Sequence, residues 1–81
     1  MAKLRVLSGS DVVAIFNLFG FAVASQKGSH IKLVRVVEEK RQSLTVPNHK
    51  EIDKGTLKAI IRQACVFIPE SELNPHVHHE Q

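Results

Sequence analysis

Gln26-Lys27-Gly28-Ser29-His30 lies between two strand-like runs, and its reading decides the fold. Before it, Phe21 to Gln26 alternates Phe21 and Val23 against Ala22 and Ala24, the two-residue period of a strand. After it, His30 to Glu38 is rich in Val and Ile and reads as a second strand. Lys27-Gly28-Ser29 is a short connection with glycine where a positive φ is needed, so the two runs form a hairpin. The same five residues carry chemistry. An imidazole titrates near neutral pH and can give or take a proton where few side chains can. Lys27 and Lys32 beside it draw in an anion. The expectation is a small scaffold that holds His30 against a nucleic-acid phosphate.

The second run alternates imperfectly. Ile31, Leu33 and Val37 share a face with Arg35, while Val34 and Val36 share one with His30 and Lys32. Either the second face meets a partner or the register breaks near Val36. Glu38-Glu39-Lys40-Arg41 reads as a polar hairpin tip. Gln42 to Pro47 is a third strand with Leu44 and Val46 facing inward, and Pro47, which has no N–H for the ladder, ends it.

Helices flank these strands. Lys3 to Leu7 is an extended lead-in and Ser8-Gly9-Ser10 a turn. Ser8 or Ser10 caps the helix that follows, with Asp11 at the favourable end of its dipole. Val12, Ile15, Phe16 and Phe19 form one apolar face, which predicts a helix over Asp11–Phe19 ended by Gly20. Asn48 to Asp53 is a loop, and Asp53 caps a second helix, Lys54–Cys65, buried along Leu57, Ile60, Ile61, Ala64 and Cys65. Gly55 in its first turn lowers helix propensity, as if something needed backbone room there. Past it, Val66-Phe67-Ile68 continue the apolar content. Pro69 to Leu73 forms one more short turn and Asn74 to Gln81 a loose tail.

The expected fold class is α+β, in the order helix, three antiparallel strands, helix, with both helices packed on one face of the sheet. That layout is analogous to double-stranded RNA-binding domains. The chain reads as a single domain over residues 1–81, with its core between about 4 and 68.

Composition narrows the function. The 81 residues carry a net charge of +3, distributed unevenly: Lys27 to Arg62 holds nine Lys/Arg against four Asp/Glu, and Gln63 to Gln81 holds three acids and no base. A polyanion would sit on the basic middle. No run approaches a membrane span, and the apolar stretch near the start is too short for a signal-peptide core. One cysteine, Cys65, rules out an internal disulfide and suits a reducing compartment, so a cytoplasmic location is expected.

Cleavage of RNA requires a base for the ribose 2′-hydroxyl, cations for the crowded phosphate and an acid for the leaving oxygen. His30 can serve as base or acid. The second proton-transfer group is not obvious, and His49, just after the third strand, is the candidate by type. Lys27, Lys32, the Gly28 and Ser29 N–H groups and the Ser29 hydroxyl can hold phosphate oxygens. Lys54, Lys58 and Arg62 recur at i, i+4 and i+8, a row about 12 Å long that suits a phosphate backbone. With Tyr and Trp absent and all four Phe in apolar patterns, no base-stacking platform is available. His76, His78 and His79 resemble a metal-binding tract, but three ligands need a rigid frame, so no metal and no cofactor is expected.

Gln26-Lys27-Gly28-Ser29-His30, Thr45-Val46-Pro47 and Lys54-Gly55-Thr56-Leu57-Lys58-Ala59-Ile60-Ile61-Arg62-Gln63-Ala64, in that order and spacing, resemble the HicA-type toxins of bacterial toxin–antitoxin systems. Leu7-Ser8-Gly9 and Gly20-Phe21 fit as well. The likeness runs from about Leu4 to Ala64. It implies a fold similar to double-stranded RNA-binding domains and an mRNA-cleaving ribonuclease that arrests growth. A HicB-type antitoxin would neutralise it, with the partly apolar second sheet face a natural place for that contact. It also implies that His30, the histidine of the Gly-Ser-His motif, is the catalytic residue. After Ala64 the chain departs from the short acidic helix usual in the family. The alternative reading is a non-catalytic RNA- or duplex-binding module of the same fold; a weaker third is a protein-interaction subunit.

Overall fold

The structure, a computed structural model, describes residues 3–79. Its elements run β1 (Lys3–Leu4), α1 (Gly9–Leu18), β2 (Ala22–Lys27), β3 (His30–Val37), β4 (Lys40–Pro47), α2 (Lys54–Ala64), α3 (Glu70–Val77) and β5 (His78–His79). Strands β2, β3 and β4 form an antiparallel sheet with β3 in the middle. The α+β class and the helix–three strands–helix order are as the sequence predicts.

Local chemistry sets the helix starts. Ser8 caps α1: the Asp11 N–H donates to Ser8 Oγ at 3.0 Å and the Ser8 N–H donates to the Asp11 carboxylate at 3.0 Å, a reciprocal capping box. Asp53 caps α2 by accepting from the Thr56 N–H at 3.0 Å and the Thr56 hydroxyl at 2.7 Å. These bonds favour the ionised carboxylates: the Ser8 N–H holds Asp11, and the Thr56 hydroxyl holds Asp53, below the ordinary carboxyl value of 3.8.

One face of the sheet carries the core. Ile31, Leu33, Leu44 and Val46 are buried against Val12, Ile15 and Phe16 of α1 and Leu57, Ile60 and Ala64 of α2. Arg35 shares that inward face. Its guanidinium donates to Gln42 Oε1 at 2.7 Å, to the Phe19 carbonyl at 2.6 Å and to the Phe67 carbonyl at 2.9 Å, and stacks 4.8 Å from the Phe21 ring centroid. A cation at the end of an apolar face thus closes the core by satisfying two chain segments that leave helices.

Gly9 is the first residue of α1, not part of a turn. A Cβ there would collide with the Pro47 carbonyl oxygen and come within 2.9 Å of Asn48 Cα, so the helix start lies directly on the backbone that leaves β4. The Gly9 N–H donates to the His49 carbonyl at 2.8 Å across this contact. At Gly55 a Cβ would meet Asp53 Oδ2 at 3.4 Å, an ordinary contact. The expected need for backbone room is therefore at Gly9, not Gly55.

Beyond shifts of one or two residues at the ends of α1, β2, β3 and α2, three features depart from expectation. The β3–β4 hairpin turns on Glu38 and Glu39, both at positive φ, so β4 begins at Lys40 instead of Gln42. Nothing in a Glu-Glu pair announces such a turn, which usually recruits Asn or Gly. The second difference is the core limit: Leu73 and Val77, at 0% and 2% exposure, extend the core past residue 68. Third, residues 74–79 are not a loose tail. Helix α3 runs through Pro75, and β5 pairs with β1, Lys3 opposite His79 and Leu4 opposite His78. Pro75 removes a bond to the Ser71 carbonyl, but both residues are exposed, so that carbonyl is open to solvent. The rest of that expected tail, residues 80–81, lies outside the described residues.

Candidate functional site

Residues directly opposite in an antiparallel pair share a face, so the register maps the sheet's outer side. The first row is Lys27, His30 and Pro47; the second is Ser25, Lys32 and Thr45. Then come Ala22, Val34 and Ser43, and last Val36 opposite Arg41. Lys27, Lys32 and the imidazole occupy one end of this face, while Ala22, Val34 and Val36 lie toward the other beside Ser43 and Arg41. Val36 is 66% exposed. The alternation of β3 holds through Val36, so of the two expected explanations for its mixed pattern, a register break is excluded. The break lies in β2, where the pairing slips between Val23 and Ser25.

His30 is exposed at the start of β3, directly across from Lys27. Its neighbours to either side in the strand order are fixed by the hairpin. Gly28 takes φ +59°, the left-handed value that lets two residues reverse the chain. The central residues of such a turn keep their N–H groups outside the ladder, so Gly28 and Ser29 retain two donors beside the imidazole. The turn is tethered: the Asn48 N–H donates to the Ser29 carbonyl at 2.6 Å. Asn48 and His49 in turn lie on the start of α1. Among the described residues, no side-chain hydrogen bond engages the His30 ring. An unengaged imidazole flanked by two ammonium groups can exchange a proton with a bound anion while the cations offset its charge.

The other expected site residues divide into two groups. His49 is exposed two residues after Pro47, the cross-strand neighbour of His30, and its carbonyl is held by Gly9. Lys32 joins His30 on the outer face. Lys54, Lys58 and Arg62 do not: they line a cleft of about 700 Å³ on the helical layer, to which no residue of the three-stranded sheet contributes. Cys65 borders that cleft, and burial, with Glu70 nearby, pushes its thiol above the ordinary value, which keeps it protonated and a poor nucleophile. Among the described residues, no three His, Cys, Asp or Glu side chains converge on a metal position. His76 instead stacks edge-on against Phe19 with centroids 5.5 Å apart. No helix of the described residues is long and apolar enough to cross a membrane.

Sequence reasoning placed Arg35 on one face with Ile31, Leu33 and Val37 but gave it no role. The signal was present: one cation among Ile31, Leu33 and Val37 requires buried acceptors.

Against known proteins, a family model described as the HicA toxin of bacterial toxin–antitoxin matches residues 9–66. That span includes the β2–β3 turn, the outer sheet face and α2, and stops short of α3. Nothing among curated proteins or solved structures matches the chain.

Proposed function

The chain belongs to the HicA family, the toxins of bacterial toxin–antitoxin pairs, and on that premise we propose that it is an mRNA-cleaving endoribonuclease with His30 as its catalytic residue. The observation that carries this reading is the first row of the outer face: an exposed, unengaged imidazole directly opposite Lys27, with Lys32 on the same side. RNA supplies its own nucleophile. A base removes the 2′-hydroxyl proton, the 2′ oxygen bonds to the adjacent phosphorus, and the bond from phosphorus to the 5′ oxygen breaks as that oxygen takes a proton. His30 performs one of these two transfers. His49 is proposed for the other, because the chain returns it to the same end of the sheet. Lys27, Lys32 and the N–H groups of Gly28 and Ser29 bind the phosphate oxygens, where charge accumulates. The chemistry requires no cofactor.

Cleavage of message in the cytoplasm would stop translation and growth. The antitoxin is proposed to be a HicB-type protein. A partner lying over Ala22, Val34 and Val36 would have to extend across the Lys32 row to cover the His30 row and close it to RNA.

The test is His30→Ala in a nuclease-free preparation. Cleavage should fall by about 10²–10⁴-fold, the usual worth of a positioned acid or base, while RNA binding survives through the lysines. Undiminished cleavage would move the reaction elsewhere. Binding without cleavage by the unaltered chain would make it the non-catalytic module instead.

A further inference from the structure

The cleft on the helical layer is lined by Lys3 and Leu4 of β1, Lys54, Lys58, Ile61, Arg62 and Cys65 at α2, Glu70 and Asn74 of α3, and His78 of β5. Four of these side chains, Lys3, Lys54, Lys58 and Arg62, are basic and one, Glu70, is an acid. All four cations are exposed, so the charge is presented to solvent and not consumed in the core. Three of them recur at one-turn intervals along α2, about 6 Å apart. Lys3 enters from a different element, because pairing of β1 with β5 fixes the first strand beside the helix. Among the residues that line it, none is Phe, Tyr or Trp, and the one ring is the imidazole of His78. His78 also lines it, and among the described residues its buried Nδ1 has no hydrogen-bond partner. The ring would gain one by turning toward an oxygen that enters.

We propose that this cleft is a second RNA-binding site, which holds the sugar–phosphate backbone of a substrate strand at Lys3, Lys54, Lys58 and Arg62 while His30 acts on the opposite layer. The proposal rests on RNA being the ligand of this chain. The arrangement favours a nucleic-acid strand over an acidic protein segment. A strand offers charges at every ~3.4 Å of axis, which a regular row of cations can meet at any register without side-chain fit. The cleft offers little such fit: its apolar floor is only Leu4, Ile61 and Cys65. Recognition there is sequence-independent, and it lengthens the footprint of the enzyme beyond the bond that is cut. The cleft's share of affinity is therefore electrostatic and falls with salt.

The experiment uses the full chain carrying His30→Ala, so that RNA is bound but not cut, and a short fluorescein-labelled single-stranded RNA followed by anisotropy across a salt series. Adding Lys58→Ala and Arg62→Ala should weaken binding about tenfold or more at 0.1 M salt. The log–log salt slope should fall by about 0.7 for each phosphate no longer neutralised, or about 1.4 for the pair. Lys3→Gln, far from α2 in sequence, should lower the slope by about half that amount. With His30 intact, the double variant should raise KM and leave kcat unchanged. Unchanged affinity and slope in both variants would overturn the proposal, as would normal RNA binding combined with impaired neutralisation by the antitoxin. The two readings separate cleanly. Loss of cleavage in His30→Ala with normal binding by the cleft variants dismisses the cleft and leaves the catalytic assignment. Weakened binding by the cleft variants with cleavage retained in His30→Ala does the reverse.

Discussion

Two of the polar side chains of strand β3 stand five positions apart and have opposite fates. His30 begins the strand on the outer face, exposed, with its ring in no side-chain hydrogen bond among the described residues. Arg35 sits on the inner face with three hydrogen bonds and an aromatic ring beneath it. Their offset of five positions is odd, so the pleat sends them to opposite sides. Each of the three guanidinium nitrogens of Arg35 donates to the protein, which makes it a structural residue. His30 has its capacity unspent and is available to a ligand. Polarity on a strand does not by itself distinguish these roles; the partners do.

The contrast is broken most forcefully by exchanging the consequences. His30→Ala should abolish most cleavage and leave the unfolding free energy within about 0.5 kcal/mol of the unaltered chain. Arg35→Met should do the converse. Losing charge-assisted bonds to two main-chain carbonyls and Gln42 should cost about 2–4 kcal/mol, read by urea or thermal unfolding. The folded fraction should still cut RNA. A destabilised His30 variant would mean that the imidazole is part of the scaffold after all.

A smaller test concerns the glycines in the first turns of α1 and α2. Gly9→Ala forces a methyl group into the Pro47 carbonyl and should cost about 1–3 kcal/mol, since backbone cannot move aside. Gly55→Ala meets only ordinary contacts and should stabilise by about 0.5–1 kcal/mol through helix propensity. Equal effects at the two positions would contradict the close approach of α1 to β4.

The mildest prediction concerns acid. Asp11 and Asp53 titrate below 3.8 in the folded chain because their carboxylates accept capping bonds. The unfolded chain then binds protons more readily than the folded one. The capping contribution is therefore complete above that ordinary value and fades as pH falls through the lowered folded values. Melting curves across pH 2–5, a window taken from the ordinary carboxylate range, should show this loss, and Asp11→Asn with Asp53→Asn should flatten it.

What was legible in the sequence was what neighbours decide. Ser8 and Asp53 announce their helices within three residues, Gly28 marks its turn, and the apolar stripes of α1 and α2 follow from spacing alone. His30 was legible as a titratable group next to cations. The remainder depends on residues far apart. Gly9 is needed because β4 passes over it, nearly forty positions later. The Glu38-Glu39 turn is imposed by the register of the strands it joins. Pro75 argues for a break that exposure of Ser71 renders harmless. The separation of Lys54, Lys58 and Arg62 from His30 emerges only once the sheet lies between them.

The pairing of β1 with β5, with the Arg5 N–H donating to the Val77 carbonyl at 2.8 Å, has a consequence for biosynthesis. Contacts that join such distant stretches close the largest loop in the chain and form late. Leu73 and Val77 can seat only after they have left the ribosomal exit tunnel. Until that closure the chain is an open sheet with two helices, and the basic cleft is the last part of this fold to assemble.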